Sequence, residues 1–365
     1  MRATPLLAEH ERLGATLTGF AGWRMPLRYG SETAEHRAVR QAAGLFDLSH
    51  MGEIVVTGPE AAAALDYALT GLLSAVAPGR ARYTMMCAED GGVLDDLVVY
   101  RTGDAEFMVV ANASNTPTVL AELQSRAAQF KAQVADRTEQ YALIAVQGPA
   151  AAGILAPLTD VALDDLKYYA GHDGTVTGRR ALVARTGYTG EDGFELFVAS
   201  EDAEPVWQAL ASAGRTAGLV PAGLAARDTL RLEAGMPLYG NELGPDTTPY
   251  DAGLGRVVKF DKPGGFVGAA ALGERAQATP DRVLAGLTMA SRRVPRHGYT
   301  VLAAGQPAGT VTSGAPSPTL GVPIALAYLT PEAMSAGPGE LAVDIRGRAE
   351  PAQLTDLPFY RRTRT

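Results

Sequence analysis

Apolar stretches alternate along this 365-residue chain with short polar, glycine-bearing punctuation, and strand-like and helix-like stretches follow one another in repeated exchange. Residues 93–101 (VLDDLVVYR) are rich in strand formers. With residues 83–87 and the turn-like Glu89-Asp90-Gly91-Gly92 between them, they predict a hairpin. Residues 4–17 are mixed in polarity and read as a helix. Residues 19–29 (GFAGWRMPLRY) read as an aromatic loop, in which Trp23 and Met25 either cover a core or line a pocket. A helix over 31–43 is expected from a Ser31 N-cap with Glu32 in the first turn, and Gly44 ends it before a strand region at 45–56. Residues 59–69 read as a helix, 107–111 as a strand, and 117–130 as a helix opened by Pro117. The strand at 143–146 leads through Gln147-Gly148-Pro149 into a helix ending near Leu155.

A second hairpin is expected from 180–188 and 194–198, with a polar tip at 189–193, followed by helices at 206–213 and 222–234. Residues 237–251 are rich in Gly, Pro, Asp, Asn and Thr and predict a long ordered loop. After a linker at 276–281, strand-like segments at 284–289, 299–302, 309–311, 324–329 and 339–345 follow without a good helix. That pattern predicts a small β-barrel or sandwich.

Composition narrows the class. The chain exceeds the usual size of one core, so two or three domains are expected. A formal net charge of −8 argues against a nucleic-acid binder and a membrane-surface binder, both of which usually present a basic face. Cys87 is the single cysteine, which forbids an intrachain disulfide and leaves no Cys/His cluster with metal-ligand spacing. Residues 1–7 carry no leader pattern and no apolar run approaches about 18 residues, so the expectation is a cytoplasmic protein.

The most informative anomaly is the pair Asp95-Asp96 inside an apolar strand, since burying carboxylates is unfavourable without partners. Strand alternation puts Asp96 on the face of Val98 and Tyr100, and Asp95 with Leu97 and Val99. At most one of the two can face a given pocket; alternatively neither does, one bonding turn backbone and the other being solvated at an edge. In RTGYTGEDGFE (residues 185–195), Glu195 falls in the strand behind a glycine-rich tip. A carboxylate there can accept from a ligand with two adjacent N–H donors, although solvated turn acids give the same pattern. Arg227 on an apolar helix flank calls for a partner, either a ligand or a structural acid. His50 is a lone histidine with a structural or a catalytic reading open. No nucleophile constellation is present, because Ser49-His50 lacks the G-x-S-x-G elbow. The basic clusters SRRVPRHG (291–298) and YRRTRT (360–365) are either solvated loops or a surface that steers an acidic partner.

Taken together, TPL, GFAGWRMP, FDLSHMGE, GGVLDDL, QGP, RTGYTGEDGFE, AGLAARDTLRLEAGM, LYGNEL, TSGAPSPTLG and PFYR, in this order over nearly the whole chain, resemble the aminomethyltransferase (T-protein) family of the glycine cleavage system. That resemblance implies an α+β fold: two folate-transferase-type α+β domains over residues 1–275, arranged as a cloverleaf with a C-terminal β-barrel at 283–362. It implies transfer of an aminomethyl carbon from the lipoyl arm of H-protein to tetrahydrofolate. The products are 5,10-methylenetetrahydrofolate, ammonia and the reduced arm, with no metal, flavin or pyridoxal phosphate. Partners are lipoylated H-protein and the other glycine cleavage proteins, with no nucleic acid and no membrane.

By the same resemblance Asp96 is the catalytic carboxylate and Glu195 holds the pterin, while Arg227 and Arg361 bind substrate. Met51, Tyr83, Tyr100, Asn112, Tyr168 and Tyr188 fall at pocket positions. Relatives include folate-dependent demethylases and a non-transferase folate protein whose glycine loop carries a cysteine, where this chain has Gly187. Family members often have a tryptophan where this chain has Arg256, which puts contacts there in doubt.

Overall fold

A computed structural model of the chain describes residues 1–337 and 339–363. In chain order, β1 (Arg2–Ala3), α1 (Leu7–Arg12), β2 (Thr16–Phe20), β3 (Trp23–Arg28), α2 (Glu32–Gln41) and β4 (Ala43–Asp47) come first. Then follow β5 (Gly52–Thr57), α3 (Ala61–Ala68), β6 (Ala81–Cys87), β7 (Val93–Gly103), β8 (Glu106–Ala111), α4 (Thr116–Ala127) and β9 (Gln133–Asp136). The chain continues through β10 (Tyr141–Gln147), α5 (Ala151–Leu155), β11 (Gly171–Val176), β12 (Arg179–Ala184), β13 (Gly193–Ala199), α6 (Ala203–Gly214), β14 (Leu219–Pro221), α7 (Leu224–Glu233) and α8 (Ala269–Gln277). The last strands are β15 (Val283–Met289), β16 (Thr300–Ala303), β17 (Gln306–Pro316), β18 (Pro323–Leu329), β19 (Leu341–Asp344) and β20 (Ala349–Thr355).

Two sheets carry the α+β part, one ordered β11-β12-β13-β10-β4-β14 and the other β6-β7-β8-β5-β9. The chain enters the second sheet from the first after β4 and returns at β10, so the two units are interleaved. Strands β15 to β20 close a six-stranded barrel. Each sheet buries one face under its own helices. Ile144, Leu196 and Trp207 share one cluster in the first, and Leu97, Val99, Phe107 and Leu123 share another in the second. The opposite faces meet each other. Phe46, Leu143, Leu182 and Phe197 of the first sheet pack with Tyr100, Met108 and Val110 of the second, and with Ala226 and Leu230 of α7. This shared layer positions the site.

Local chemistry explains most element boundaries. Ser31 accepts a hydrogen bond from the Ala34 amide at 3.4 Å as N-cap of α2. The hairpin β6–β7 pairs Met85 with Asp96 and Met86 with Asp95, close to the expected limits.

Three expectations need correction. Residues 19–29 are not a loop: β2 and β3 form an antiparallel hairpin, with Pro26 opposite Leu17 at a register shift. Strand β1 pairs only with Trp23 and Arg24, so nothing on that side asks Pro26 for an N–H. Trp23 and Met25 are buried, as core cover requires. The helix expected over 4–17 is only α1, because residues from Thr16 join the sheet. Part of the expected linker at 276–281 belongs to α8, whose Leu272 is fully buried, and the closing strand β20 gave too little alternation to be read. No helix among the described residues is long and apolar enough to cross a membrane.

Candidate active site

The alternation read in β7 holds. Asp95, Leu97 and Val99 are fully buried on the side of α3 and α4, while Val98 and Tyr100 join the layer between the sheets; Val93, beyond the register shift at Met86/Cys87, is buried in another cluster with Met85, Cys87 and Leu272. Asp96 shares that inner face and is half-buried. The phenol of Tyr83 donates to Asp96 Oδ2 at 3.0 Å, and the Asn112 amide donates to Asp96 Oδ1 at 2.9 Å. Asn112 follows β8 directly, and the β7–β8 register, which pairs Val98 with Val110, carries it beside Asp96. Burial pushes the Asp96 carboxyl up to about 6, although both hydrogen bonds favour its ionised form. Burial, followed by the charge of Asp96, keeps Tyr83 protonated as a donor.

Asp95 is neither solvated nor a turn support. It is 0% exposed, and its oxygens accept from the Asn112 amide N–H at 3.0 Å, Asn112 Nδ2 at 2.8 Å and Asn115 Nδ2 at 2.7 Å. Through Asn112 Nδ2 it fixes the same side chain that holds Asp96. Burial and then the charge of Asp96 push Asp95 up to about 7. Of the two acids, Asp96 ionises first.

Glu195 lies across the layer on β13, paired with Ala145 of β10 and Ala184 of β12, on the same face as Phe197. Thr186 Oγ1 donates to Glu195 Oε2, and the Tyr100 hydroxyl stands 2.8 Å from Thr186 Oγ1 and 3.3 Å from Glu195 Oε2. Glu195 Oε1 makes no hydrogen bond among the described residues and is left as an open acceptor. The glycine loop in front of this strand is shaped by Gln147. Its Nε2 donates to the Thr186 carbonyl at 3.0 Å, and its Oε1 accepts from Thr189 Oγ1 at 3.0 Å. A Cβ on Gly187 would meet Gln147 Oε1 at 2.0 Å, so this position takes glycine because the loop lies against that amide.

Arg227 on α7 has no carboxylate partner among the described residues. Its guanidinium stacks over the Tyr188 ring, 4.8 Å from the centroid, and the charge of Glu195 acts on it against the cost of burial. Tyr188 itself donates its hydroxyl to the Pro237 carbonyl. Met51 is half-buried at the rim of the inner layer.

Asp96, Glu195, Arg227, Met51, Tyr83, Tyr100, Asn112 and Tyr188 are thus brought to one face-to-face layer. Tyr168 is 48% exposed, its ring edge-on to Tyr169 at 4.9 Å. Arg361 is placed elsewhere: it is exposed and, among the described residues, donates only to the Leu357 carbonyl at 3.2 Å. Its neighbour Arg362 turns inward, 3.3 Å from Asp192 Oδ1, and its charge acts on Tyr168. Arg364 lies outside the described residues. Arg256 is exposed in a short 3-10 turn.

Sequence reasoning missed two tyrosines. Tyr169, held at φ +57°, feels the charges of both Glu195 and Asp96, and Tyr239 feels those of Asp95 and Asp96. Tyr239 also borders a cleft of about 540 Å³ between residues 239–247 and the barrel strands. The aromatic pair Tyr168-Tyr169 was visible, but nothing local said which ring turns inward.

This arrangement offers one ionisable carboxylate in a sheltered, hydrogen-bonded setting and, opposite it, a carboxylate with an open oxygen beside a stacked arginine. It suits a flat ligand with an N–H edge and a reaction that develops positive charge.

Residues 6–262 match the GCVT N-terminal domain, and residues 282–361 match the glycine cleavage T-protein C-terminal barrel domain. The chain is 64% identical to an aminomethyltransferase of Streptomyces coelicolor, over 99% of this chain and 98% of that one. It is 49% identical to one of Moorella thermoacetica, over 99% and 98%. The glycine cleavage system aminomethyltransferase T of Bartonella henselae superposes with a TM-score of 0.91 at 38% identity, covering 98% of both chains. On sequence and fold alike, the chain belongs to the glycine cleavage T-protein family.

Proposed function

We propose that this chain transfers the aminomethyl carbon from the S-aminomethyl-dihydrolipoyl arm of H-protein to tetrahydrofolate. The products are 5,10-methylenetetrahydrofolate, ammonia and dihydrolipoyl H-protein. Residues 1–275 form the folate-binding region in this reading, and residues 283–362 the barrel unit. The observation that carries it is the opposition of Asp96 and Glu195 across one layer, with Tyr83, Asn112, Tyr100 and Thr186 already holding both carboxylates.

The chemistry follows from these groups. When the carbon–sulfur bond breaks, its electron pair leaves with sulfur as thiolate, and the nitrogen lone pair forms the C=N bond of an iminium cation. A folate nitrogen attacks that carbon and gives its proton to the amine, which departs as ammonia; the second folate nitrogen then closes the methylene bridge, and its proton returns the thiolate to the thiol of the dihydrolipoyl arm. Asp96, ionised above about pH 6 and fixed by Tyr83 and Asn112, stabilises the cation in a partly sheltered setting where its charge is less screened than in bulk water. Glu195 Oε1 accepts from the pterin N–H edge, and Arg227, held flat on Tyr188, donates to the same ligand. Tyrosines around them provide flat apolar area with a polar tip. Lipoylated H-protein is the macromolecular partner, within the glycine cleavage system of the cytoplasm.

The test is an ammonia-release assay. With tetrahydrofolate and aminomethyl-loaded H-protein the chain should release ammonia, and omission of either should abolish release. Formation of methyl-folate from a methylated amine or sulfur donor without H-protein would instead make it a demethylase. Folate binding with no ammonia from H-protein would make it a binding protein.

A further inference from the structure

His50 is a buried polar side chain near the site whose imidazole finds no hydrogen-bond partner among the described residues. It stands in the turn between β4 and β5, directly before Met51, whose amide N–H donates to the Leu48 carbonyl at 2.9 Å. The imidazole is 3% exposed. Its Nδ1 is wholly enclosed without a partner, and Nε2 makes no hydrogen bond among the described residues but is not enclosed. The Phe20 ring meets it edge to face at 5.4 Å, and Leu48 packs with Ala226 and Leu230 of α7, the helix that carries Arg227. Burial first, and then the charge of Arg227, push the imidazole down to about 4 against the pull of Asp47, so the ring is neutral at physiological pH.

A neutral imidazole has one N–H and one bare lone pair. An orphaned buried N–H is rarer than an undersatisfied acceptor, which puts the lone pair on the enclosed Nδ1 and the hydrogen on Nε2, the nitrogen with access. Leucine would fill this apolar niche without a polar group to desolvate. The unused donor belongs to the residue directly before Met51 and feels the charge of Arg227, two residues of the folate site in the reading above.

We propose that His50 is a further folate-contacting residue, donating Nε2–H to an oxygen of the bound pterin on the side served by Arg227. This rests on the folate reading of the site. Its signature is on affinity: His50 acts as an uncharged donor in the bound state and takes no proton from the reacting groups.

Titration calorimetry with tetrahydrofolate on three full-length variants tests it. His50→Leu should weaken binding about tenfold, the worth of one hydrogen bond to a buried ligand atom, with a melting temperature equal to or above wild type. His50→Gln, whose amide nitrogen reaches the place of Nε2, should stay within about threefold of wild type. Glu195→Gln, the third variant, should weaken binding through the pterin edge. His50→Leu binding as wild type while Glu195→Gln is weakened would overturn the role of His50 alone. Equal weakening of the Leu and Gln variants, with lowered melting temperatures, would also overturn it by making His50 structural. Unchanged binding in all three variants would overturn the folate reading itself.

Discussion

Among single residues, Asp96 carries the sharpest expectation. Asp96→Asn keeps the shape and the Tyr83 and Asn112 neighbours but removes the negative charge, so tetrahydrofolate should bind nearly as before while ammonia release falls about a hundredfold or more. The sign of the pH dependence follows from the carboxyl at about 6: protonation as pH falls through that value removes the charge that stabilises the cation. Wild-type turnover should therefore decline about tenfold per pH unit below 6, and the Asn variant should lose this acid limb. Turnover and a pH profile unchanged in Asp96→Asn would remove the role given to Asp96. How much was legible also shows at this scale. Period-two alternation separated Asp96 from Asp95, but it could not say what lay behind Asp95, since Asn112 and Asn115 reach it from beyond another strand. Arg361 shows the converse. In a terminal segment with no periodicity, residue type alone does not tell which of two adjacent arginines turns inward, and here Arg362 does.

Elements transmit sequence to site with unequal fidelity. Hairpin β6–β7 was readable because its strand formers flank a glycine turn, and α2 and α4 because Ser31 and Pro117 mark their starts. The β2–β3 hairpin was hidden by Pro26 and by glycines on both sides, features that usually signal a loop; only the short β1 partner leaves room for that proline. The glycine loop before β13 makes its own prediction. Since a Cβ on Gly187 would strike the twice-bonded Gln147 amide, Gly187→Ala must push the loop off β10, at a cost of about 1–3 kcal/mol. Tyr188, the next residue, would move with it, and so would its stack on Arg227. Activity should fall about tenfold with a lowered melting temperature, measured beside Gly153→Ala as control. Gly153 has open space around it on helix α5, so alanine there should be neutral or slightly stabilising. Equal behaviour of the two variants would show that Gln147 yields, and that the loop is not set by this contact.

At the scale of the whole molecule, α7 joins the inner layer to the barrel. One turn beyond Arg227, Arg231 donates to Glu242 at 3.0 Å and to Ser313 Oγ at 2.7 Å, and Glu233 accepts from Arg40, Ser317 and Thr319. These buried contacts fix the barrel, and the basic loop on it, relative to the site. In that loop Pro295 is buried, His297 Nδ1 lies 2.8 Å from the Thr312 carbonyl, and the Gly298 amide donates to the Val311 carbonyl at 2.8 Å. Arg293 is already engaged with Glu350 at 3.1 Å, whereas Arg292 and Arg296 are exposed and make no ion pair among the described residues. A chain of net charge −8 repels an acidic partner on average, so if H-protein is acidic, the docking proposed above calls for a local basic surface, and the rigidly backed pair Arg292 and Arg296 is the expected one. Reversing both charges, Arg292→Glu with Arg296→Glu, should raise the apparent KM for H-protein at least about tenfold at low salt, while tetrahydrofolate affinity stays unchanged. Added salt should weaken the wild-type interaction and narrow its lead over the variant, because screening at about 0.15 M already confines such steering to about 8 Å. A variant that keeps both the wild-type KM and its salt dependence would move the docking surface away from the barrel loop.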